Sequence, residues 1–388
     1  MQLLLSLSPG GTERLVIEIV KGLRQQVDSV VCFLDEPGAW AVELEALRVP
    51  VIAMGRRPGF TPGLAVRLAR ILKTHAIDVV HCHHYSPYVY GLLATVLTPG
   101  VRLVFTEHGK LSDAPPSLKR RLVNPVLSMW PARLCAVSAD LRQHMIAEGF
   151  PARRLRVLYN GIDPGDRPSA AQRQAARAEL GIPADAFVIG SVGRLDAVKN
   201  LPLLLRAHAA LRTTHPNAFA VLVGEGAERR ALESTAAELG ISDSVRFTGH
   251  RRDVRHVMAA FDVYVNTSLY EGVSLTILEA MASALPVVAT PVGGNPEVVI
   301  EEETGLLIEA RPRALADAIA GLAGDPRRRR AMGNAARWRV KRHFSMRRMI
   351  EEYASAYFGR HIAIAAAPAN APTPADAISV NDATRSLV

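Results

Sequence analysis

Two glutamates flank a short segment of glycine and hydroxyl residues in the stretch LYEGVSLTILEAMAS, where Glu271 precedes the segment and Glu279 follows it. The preceding VYVNTS has the pattern of a strand, and the apolar run after Ser274 has that of a helix with this serine as its N-cap. The N–H groups from Val273 to Leu275 at the start of such a helix form an anion site, which the helix dipole strengthens. The stretch therefore predicts a phosphate group bound between two carboxylates.

Carboxylates accept hydrogen bonds from hydroxyl groups and repel phosphates. At a rise of 1.5 Å per residue, Glu279 should lie about 7 Å further along the helix. A ligand with sugar hydroxyls at both ends and a diphosphate between them fits this arrangement, and a nucleotide-sugar has that form. The alternative is that Glu271 is an exposed loop residue and Glu279 a solvated helix residue, and the neighbouring motifs decide between the two.

A second loop after a strand, SVGRLDAVKN, carries two cations. The strand ends at Gly193, where the missing side chain lets the backbone approach a ligand. Arg194 and Lys199 follow before the next helix, and together they can neutralise a diphosphate leaving group. Single basic residues in loops are usually only solvated, but beside the glutamate stretch this pair indicates a functional site.

The beginning of the chain repeats this logic. LSPGGTERLV places Gly10 and Gly11 after the first strand, with Thr12 as the predicted helix cap, and exposes backbone amides to a ligand. TEHG places His108 at the end of another strand, where it can donate to a ligand hydroxyl or to a developing charge. A histidine at a strand end is as often structural.

Parallel strands must deliver these loops to one place. Short β-branched runs alternate with segments of helical period through residues 27–160 and again after residue 185, which is typical of two doubly wound sheets. Ligands of such sheets bind outside the carboxyl ends of the strands. The predicted fold class is therefore α/β, with two facing Rossmann-like domains and a cleft between them.

Domain boundaries follow from breaks in this alternation. The first domain is placed at residues 1–165 and the second at residues 166–345, because prolines and glycines interrupt the pattern around a short helix near the joint. A further helix at residues 346–360 is expected to cross back to the first domain. Residues 361–388 are rich in alanine, proline and small polar residues and are predicted to be a disordered tail.

Composition sets the broad class. Of the 388 residues, 49% are hydrophobic and 21% charged, which indicates a globular protein. No run reaches the roughly 18 apolar residues of a membrane span, and the start has no signal-peptide pattern, so a cytoplasmic protein is expected. The three cysteines lack metal-site spacing and are expected to be buried thiols. The net charge of +9 is weak support for an anionic partner, because arginine and alanine are abundant throughout.

Three motifs invite other interpretations. HCHH at residues 81–84 resembles a zinc ligand set, but side chains alternate along a strand, so four successive residues cannot converge on one ion. GEGAER at residues 224–229 begins like a dinucleotide fingerprint but lacks its third glycine. The basic run at residues 327–330 has no accompanying nucleic-acid motif and favours a solvated helix face. No metal site and no nucleic-acid partner is predicted.

Taken in order, these motifs resemble those of glycosyltransferase family 4, a retaining family with the GT-B fold. The match runs from Gly10 to about Phe358 and comprises GGTE, TEHG, VSADL, NGID, GRLDAVKN, LVGEGAERRAL, FTGH, the E-x7-E stretch, PVGGNPEVV and TGLLI. Each motif alone is weak, but the full set in this order is highly specific.

The resemblance implies a role for each matched residue. Glu271 would contact hydroxyls of the donor sugar, Glu279 the ribose, and His108 would lie near the transferred sugar. The implied catalytic residues are His108, Glu271, Arg194 and Lys199. The implied donor-binding residues are Gly10, Gly11, Gly193, Arg194, Lys199, Glu271, Gly272, Val273, Ser274, Leu275 and Glu279.

The resemblance also implies transfer of a sugar with retention from a UDP- or GDP-linked donor to a glycan or lipid-linked acceptor, in cell-envelope or exopolysaccharide biosynthesis. No metal or other cofactor is needed, and the leaving phosphate takes the acceptor proton. A nucleotide-sugar epimerase of the same fold and a non-catalytic scaffold are the alternatives. The E-x7-E pattern favours transfer over epimerisation, and the intact charged residues argue against a scaffold.

Two features depart from the family pattern. The chain begins only a few residues before the Gly-Gly loop, where the family usually has a full strand, so a late start or a short first strand is expected. Ala284 stands where the family usually has glycine, which concerns local backbone geometry rather than chemistry.

A membrane-facing surface is also predicted, in PSLKRRLVNPVLSMW at residues 116–130. The cations Lys119, Arg120 and Arg121 accompany apolar residues and a terminal tryptophan, a composition that suits an anionic membrane interface. Pro125 is expected to break the segment. The alternative is a helix that packs its leucines and methionine into the core. The protein is accordingly predicted to be cytoplasmic, with peripheral binding to the inner membrane face.

Overall fold

The structure is a computed structural model that describes residues 1–8, 10–57, 59–109 and 116–359. Its first sheet has seven parallel strands in the order β3-β2-β1-β4-β5-β6-β7. The strands are β1 Gln2–Leu4, β2 Val31–Phe33, β3 Val51–Ala53, β4 Val79–His83, β5 Arg102–Glu107, β6 Ala132–Ala136 and β7 Leu155–Val157. The helices that cover it are α1 Gly11–Leu23, α2 Ala41–Ala46, α3 Pro62–Thr74, α4 Tyr85–Val96, α5 Leu118–Leu127 and α6 Ala139–Ala147.

The second sheet has six parallel strands in the order β10-β9-β8-β11-β12-β13. The strands are β8 Phe187–Val192, β9 Ala218–Val223, β10 Val245–Phe247, β11 Val263–Asn266, β12 Val287–Ala289 and β13 Gly305–Leu307. The helices are α7 Ala170–Glu179, α8 Leu201–Arg212, α9 Arg229–Glu238, α10 Val254–Met258, α11 Leu275–Ala282, α12 Asn295–Val298, α13 Pro312–Gly324, α14 Pro326–His343 and α15 Met346–Phe358.

Each sheet is covered by helices on both faces, so its strands read as nearly continuous apolar runs. The β4 and β5 strands of the first sheet, and β8, β9 and β11 of the second, are buried along most of their length. This burial explains why the alternation of apolar runs and helical segments predicted both sheets. The α/β fold of two Rossmann-like domains is confirmed.

The chain crosses between the two sheets twice, and the crossings are hydrogen-bonded to each other. The amide of Ile162 donates to the carbonyl of Phe344 at 2.9 Å, and the amide of Met346 donates to the carbonyl of Ile162 at 2.7 Å. Gly161 is required here, because a Cβ atom at that position would lie 2.5 Å from the carbonyl oxygen of Ser345. The paired segments are called the double crossing below.

After the second crossing, α15 packs against the first domain. Met349, Ile350 and Tyr353 share a buried cluster with Leu15 and Ile19 of α1. Although α15 follows the second domain in sequence, its apolar face completes the core of the first. The boundaries drawn at residues 165 and 345 stay predictions, and the tail predicted at residues 361–388 lies outside the described residues.

Glu297 of α12 joins the two domains at another point. Its carboxylate accepts hydrogen bonds from the amides of Ala139 and Asp140, at 2.7 and 3.0 Å, and from the hydroxyl of Tyr159 at 2.9 Å. Carboxylates are favourable at helix N-termini. Here the carboxylate that caps α6 of the first domain therefore comes from the second domain.

Several local predictions are corrected. Thr12 is not a helix cap, because Gly10 is the extended N-cap residue and α1 begins at Gly11. Pro125 does not break its segment, since it lies inside α5. In the basic run at residues 327–330, Arg329 is not solvated, because its guanidinium donates to the carbonyl of Leu322. The three cysteines are buried free thiols, as predicted.

The two departures from the family pattern have visible forms. The first strand spans only three residues, Gln2–Leu4. Ala284 adopts a left-handed backbone conformation with φ of +61° between α11 and β12. Such a conformation costs a residue with a side chain roughly 1–2 kcal/mol, and glycine avoids this cost. The glycine expected from the family pattern would fit this conformation without strain.

Candidate functional site

The loop between β11 and α11 forms the centre of the site. Ser274 caps α11, and its hydroxyl accepts from the amide of Ile277. Among the described residues, no acceptor bonds to the N–H groups of Val273, Ser274 and Leu275. The Gly-Gly turn of PVGGN supports the loop, because the amide of Gly294 donates to the carbonyl of Gly272 at 2.9 Å. The predicted helix start with free N–H groups is therefore present, and its binding of an anion stays a prediction.

Glu271 and Lys199 form an ion pair beside this helix start. Nζ of Lys199 lies 2.6 Å from Oε1 of Glu271, and both side chains are largely shielded from solvent. The same Oε1 accepts from the hydroxyl of Ser268 at 2.7 Å and from the side-chain amide of Asn266 at 3.2 Å. Among the described residues, the other carboxylate oxygen accepts no hydrogen bond. Three donors thus fix the carboxylate and leave Oε2 available to a ligand.

Arg194 behaves differently from Lys199. It follows Gly193 in the loop after β8, is 77% exposed, and forms an ion pair of 3.1 Å with Asp196. Lys199 is held at the end of a short 3-10 turn, Ala197–Lys199, close to the Gly193 backbone. The structure brings Gly193, Lys199 and Glu271 together, whereas the Arg194 side chain is exposed to solvent and lines the same small pocket as Lys199.

The first domain faces this loop with the start of α1. A Cβ atom on Gly11 would lie 3.4 Å from Cδ1 of Leu275, so the N-termini of α1 and α11 meet across the cleft. A Cβ atom on Gly272 would lie 2.3 Å from the carbonyl oxygen of His108. Two helix dipoles of the same sign thus point to one place, where an anion relieves their mutual repulsion.

His108 lies directly after β5 and is buried at the cleft. Its Nε2 is 2.9 Å from Nδ1 of His83, and its own Nδ1 is buried without a hydrogen-bond partner among the described residues. Burial, with a contribution from His83, lowers the pKa of His108 well below its ordinary value. His108 is therefore a neutral side chain with one unused ring nitrogen.

Glu279 lies on α11, one turn from the start of the helix. Among the described residues, its carboxylate has no ion pair or hydrogen bond, and burial raises the pKa of Glu279 to about 7. Arg255 and Arg14 oppose this rise in pKa only in part. A half-buried carboxylate without partners among the described residues suits a ligand that brings hydroxyl groups to it.

We expect Glu279 to make ligand binding depend on pH. Ribose hydroxyls bind the ionised carboxylate more strongly than the protonated form, so affinity should rise by about tenfold between pH 6 and pH 8. Titration calorimetry with a UDP- or GDP-sugar measures this change, because the substituted diphosphate of such a donor does not titrate in that range. Glu279→Gln should bind more weakly and show a flat profile. An equal pH slope in both proteins would contradict the assignment.

Three polar residues beside His108 were not predicted. His84 follows β4 as the N-cap residue of α4, with φ of +74° and ψ of 165°, a backbone region that is nearly restricted to glycine. Its Nδ1 lies 3.2 Å from Oε1 of Glu107, which also accepts from the amide of His108. Burial lowers the pKa of His84, but the hydrogen bond to Glu107 raises it above its ordinary value. Burial raises the pKa of the third residue, Glu13 on α1.

The motifs GGTE, HCHH and TEHG contain these residues, so the signal was present. It was missed because HCHH was examined only as a metal site. Among the described residues, no group of three side chains could hold a metal ion. A cavity of about 610 Å³ lies elsewhere, between the first sheet and α15, and contains none of the predicted site residues.

Two parallel α/β domains that face each other across a cleft, with a ligand loop at the strand ends of each, are the architecture of the GT-B fold. The model of Glycosyltransferase Family 4 matches residues 9–166, and that of Glycosyl transferases group 1 matches residues 172–339. The crystal structure of Anabaena HepE in complex with UDP has a TM-score of 0.83 and 27% identity, and the likeness covers 92% of this chain and 100% of that one.

Curated proteins of similar sequence support the same family assignment. The chain is 34% identical over 315 residues to D-inositol 3-phosphate glycosyltransferase of Saccharomonospora viridis, which covers 74% of this chain and 72% of that protein. It is 30% identical over 385 residues to alpha-maltose-1-phosphate synthase of Mycolicibacterium smegmatis, which covers 90% and 95%. The chain belongs to glycosyltransferase family 4.

Proposed function

We propose that the chain transfers a sugar, with retention of configuration, from a UDP- or GDP-linked donor to a glycan or lipid-linked acceptor in cell-envelope or exopolysaccharide biosynthesis. The observation that carries this proposal is the meeting of two helix N-termini beside the ion pair of Lys199 and Glu271, with the carboxylate of Glu279 one turn along α11. A diphosphate matches the positive centre, and sugar hydroxyls match the two carboxylates. Structures of HepE contain UDP and UDP-glucose, which supports a donor of this class.

In the proposed step, the bond between the anomeric carbon and the phosphate oxygen breaks, and its electron pair leaves with the phosphate. The acceptor oxygen bonds to the same face of the anomeric carbon, and its proton passes to the leaving phosphate oxygen. Lys199, Arg194 and the amides from Val273 to Leu275 stabilise the phosphate charge. Glu271 faces the sugar as it becomes positive. This assignment places the neutralising charge on the protein rather than on a metal ion.

The proposal is tested by incubating the enzyme with UDP-sugars and GDP-sugars separately, with alkyl glycosides or a polyprenyl-linked sugar as acceptor probes. Acceptor-dependent release of nucleoside diphosphate, with unchanged anomeric configuration in the product, is expected in the presence of EDTA. Inversion would overturn the retaining mechanism, and loss of turnover in EDTA that a divalent metal restores would overturn metal independence. Conversion of the donor sugar without acceptor would indicate an epimerase.

The surface of α5 supports a membrane-associated acceptor. Leu118 and Leu122 of α5 and Met129 just after it are 75%, 78% and 82% exposed, so these three side chains do not pack into the core. Lys119 and Arg121 are also exposed, but Arg120 is not part of that surface. It forms an ion pair of 3.0 Å with the buried Glu148 and lies over the Tyr85 ring. No helix among the described residues is long and apolar enough to cross a membrane.

We expect the protein to bind phosphatidylcholine vesicles that contain phosphatidylglycerol, and to be released by salt. The double change Lys119→Glu and Arg121→Glu should weaken binding by roughly tenfold or more, since each cation near an anionic surface contributes about 1 kcal/mol. Vesicle sedimentation measures the bound fraction, and donor affinity should not change. The matched control is Arg327→Glu with Arg330→Glu, two exposed cations on α14. Equal binding to neutral vesicles, or none to either, would remove the membrane from the proposal.

A further inference from the structure

A chain of buried hydrogen bonds leads from α15 to His108. The side-chain amide of Gln2 on β1 donates to the hydroxyl of Tyr357 on α15 at 3.2 Å, and the Gln2 oxygen lies 2.9 Å from Nε2 of His83. Nδ1 of His83 lies 2.9 Å from Nε2 of His108. These four side chains come from three strand ends and one helix, and all are less than a tenth exposed.

The identity of the first acceptor fixes the position of every proton in this chain. An amide oxygen can only accept, so the proton of His83 must be on Nε2. Burial lowers the pKa of His83 well below its ordinary value, so the ring is neutral and its Nδ1 is bare. The unprotonated Nδ1 of His83 can only accept a hydrogen bond. The proton of His108 must therefore be on Nε2 of His108. Nδ1 of His108, which has no partner among the described residues, is left as a bare acceptor.

A second set of hydrogen bonds, a side branch from Tyr357 to His81 and Thr106, is consistent with these proton positions. The Tyr357 hydroxyl accepts from Gln2, so its own proton is free to bond Nδ1 of His81 at 2.6 Å. Nε2 of His81 then donates to the hydroxyl of Thr106 at 2.8 Å. Rotating the Gln2 amide by half a turn would reverse every bond and place a proton on Nδ1 of His108. Gln2 is thus the residue whose orientation selects the form of His108.

We propose that Gln2, anchored by Tyr357, acts through His83 to hold the His108 proton on Nε2, and that the bare Nδ1 accepts a hydrogen bond from a hydroxyl of the transferred sugar. The second half rests on the proposed function, whereas the position of the proton does not. A lone pair directed at the sugar favours the positive charge that develops during transfer, and an N–H group would oppose it. Gln2, His83 and Tyr357 are therefore positioning residues.

The position of the proton is read directly by NMR of the full chain with 15N-labelled histidine, without any substrate. Long-range correlations between ring protons and ring nitrogens distinguish a protonated from a bare nitrogen, and loss of signals in His108→Gln assigns them. We expect His108 to carry its proton on Nε2. A proton on Nδ1 in the unmodified protein would overturn the proposal.

Two variants test the chain of hydrogen bonds from Tyr357 through Gln2 and His83 to His108, which is called the relay below. Gln2→Met removes the acceptor of His83, and Tyr357→Phe removes the group that orients Gln2, so both should show a second His108 form. The matched control is Tyr353→Phe, which deletes a buried hydroxyl of the same helix that lies near Thr106 of the side branch and outside the bonds that run from Gln2 to His108. This control should leave the spectrum unchanged. An unchanged spectrum in Gln2→Met and Tyr357→Phe would show that the relay does not set the proton.

Kinetics test the second half of the proposal, the hydrogen bond between Nδ1 of His108 and the transferred sugar. Both relay variants should lower kcat by roughly three- to tenfold, the size of one neutral hydrogen bond, with a smaller change in KM for the donor. Tyr353→Phe should transfer sugar at the normal rate. A mixed His108 form with normal kcat would overturn the contact with the sugar and leave the relay in place. Absence of transfer in the unmodified protein, with the expected spectrum, would instead count against the proposed function.

Discussion

Replacing Lys199 with methionine is expected to lower turnover by roughly 100- to 1000-fold, the loss typical when one preorganised group at a developing charge is removed. Lys199 is the fixed cation of the site, since its ammonium is held 2.6 Å from Glu271 and is shielded from solvent. Methionine keeps the length of the side chain but cannot neutralise a leaving phosphate. Release of nucleoside diphosphate at saturating donor measures the effect.

Arg194→Met is the matched comparison for this change. Arg194 lies in the same loop but is 77% exposed and paired with Asp196, so its charge is partly screened. A smaller loss of about tenfold is expected. If Lys199→Met kept turnover within threefold of normal, or if Arg194→Met were the more damaging change, the assignment of Lys199 to the leaving phosphate would be wrong.

Glu271→Gln should lower turnover by about 100-fold while donor affinity changes little. The glutamine has nearly the same shape but no charge, so it neither stabilises positive charge on the sugar nor holds the ammonium of Lys199. Steady-state kinetics, with donor affinity measured separately by calorimetry, separates the two quantities. Glu279→Gln should show the opposite pattern, because contacts with ribose do not change during the reaction.

A hydrogen-bond control and a coupling test sharpen this prediction. Ser268→Ala removes one of the three donors to Glu271 and should cost less than about tenfold. Lys199→Met and Glu271→Gln combined should cost much less than the product of the two single losses, because the residues act as one ion pair. Additive losses in the double variant would show that the two groups work independently.

Most of the fold could be predicted from sequence because it depends on local patterns. Parallel strands buried on both faces are nearly continuous apolar runs, and the helices between them have their own period. The runs LPVVAT and IDVVHCH are strands in the structure, as predicted. The cap at Ser274 was also predictable, since it depends on three neighbouring residues. Gly10 replaced Thr12 as a cap because either residue can fill that position and only the backbone decides.

The parts of the site that were missed depend on contacts between distant residues. His84 and Glu107 follow different strands, and only the pairing of β4 with β5 brings them together. The bond between Glu297 and the start of α6 joins residues more than 150 positions apart. Likewise, the sequence placed Arg120 among the exposed cations of α5, and only the fold shows that Glu148, at the end of α6, draws it away from that surface.

The double crossing has a consequence for how the cleft opens. Two segments that are hydrogen-bonded side by side cannot slide past each other or swivel separately without breaking those bonds. The two domains can still rotate towards and away from each other about these paired segments, which then act as a hinge. Motion of the cleft is therefore expected along one main direction, so that the side that admits the donor and the side that admits the acceptor widen and narrow together. Binding of one substrate would then close the cleft around the other.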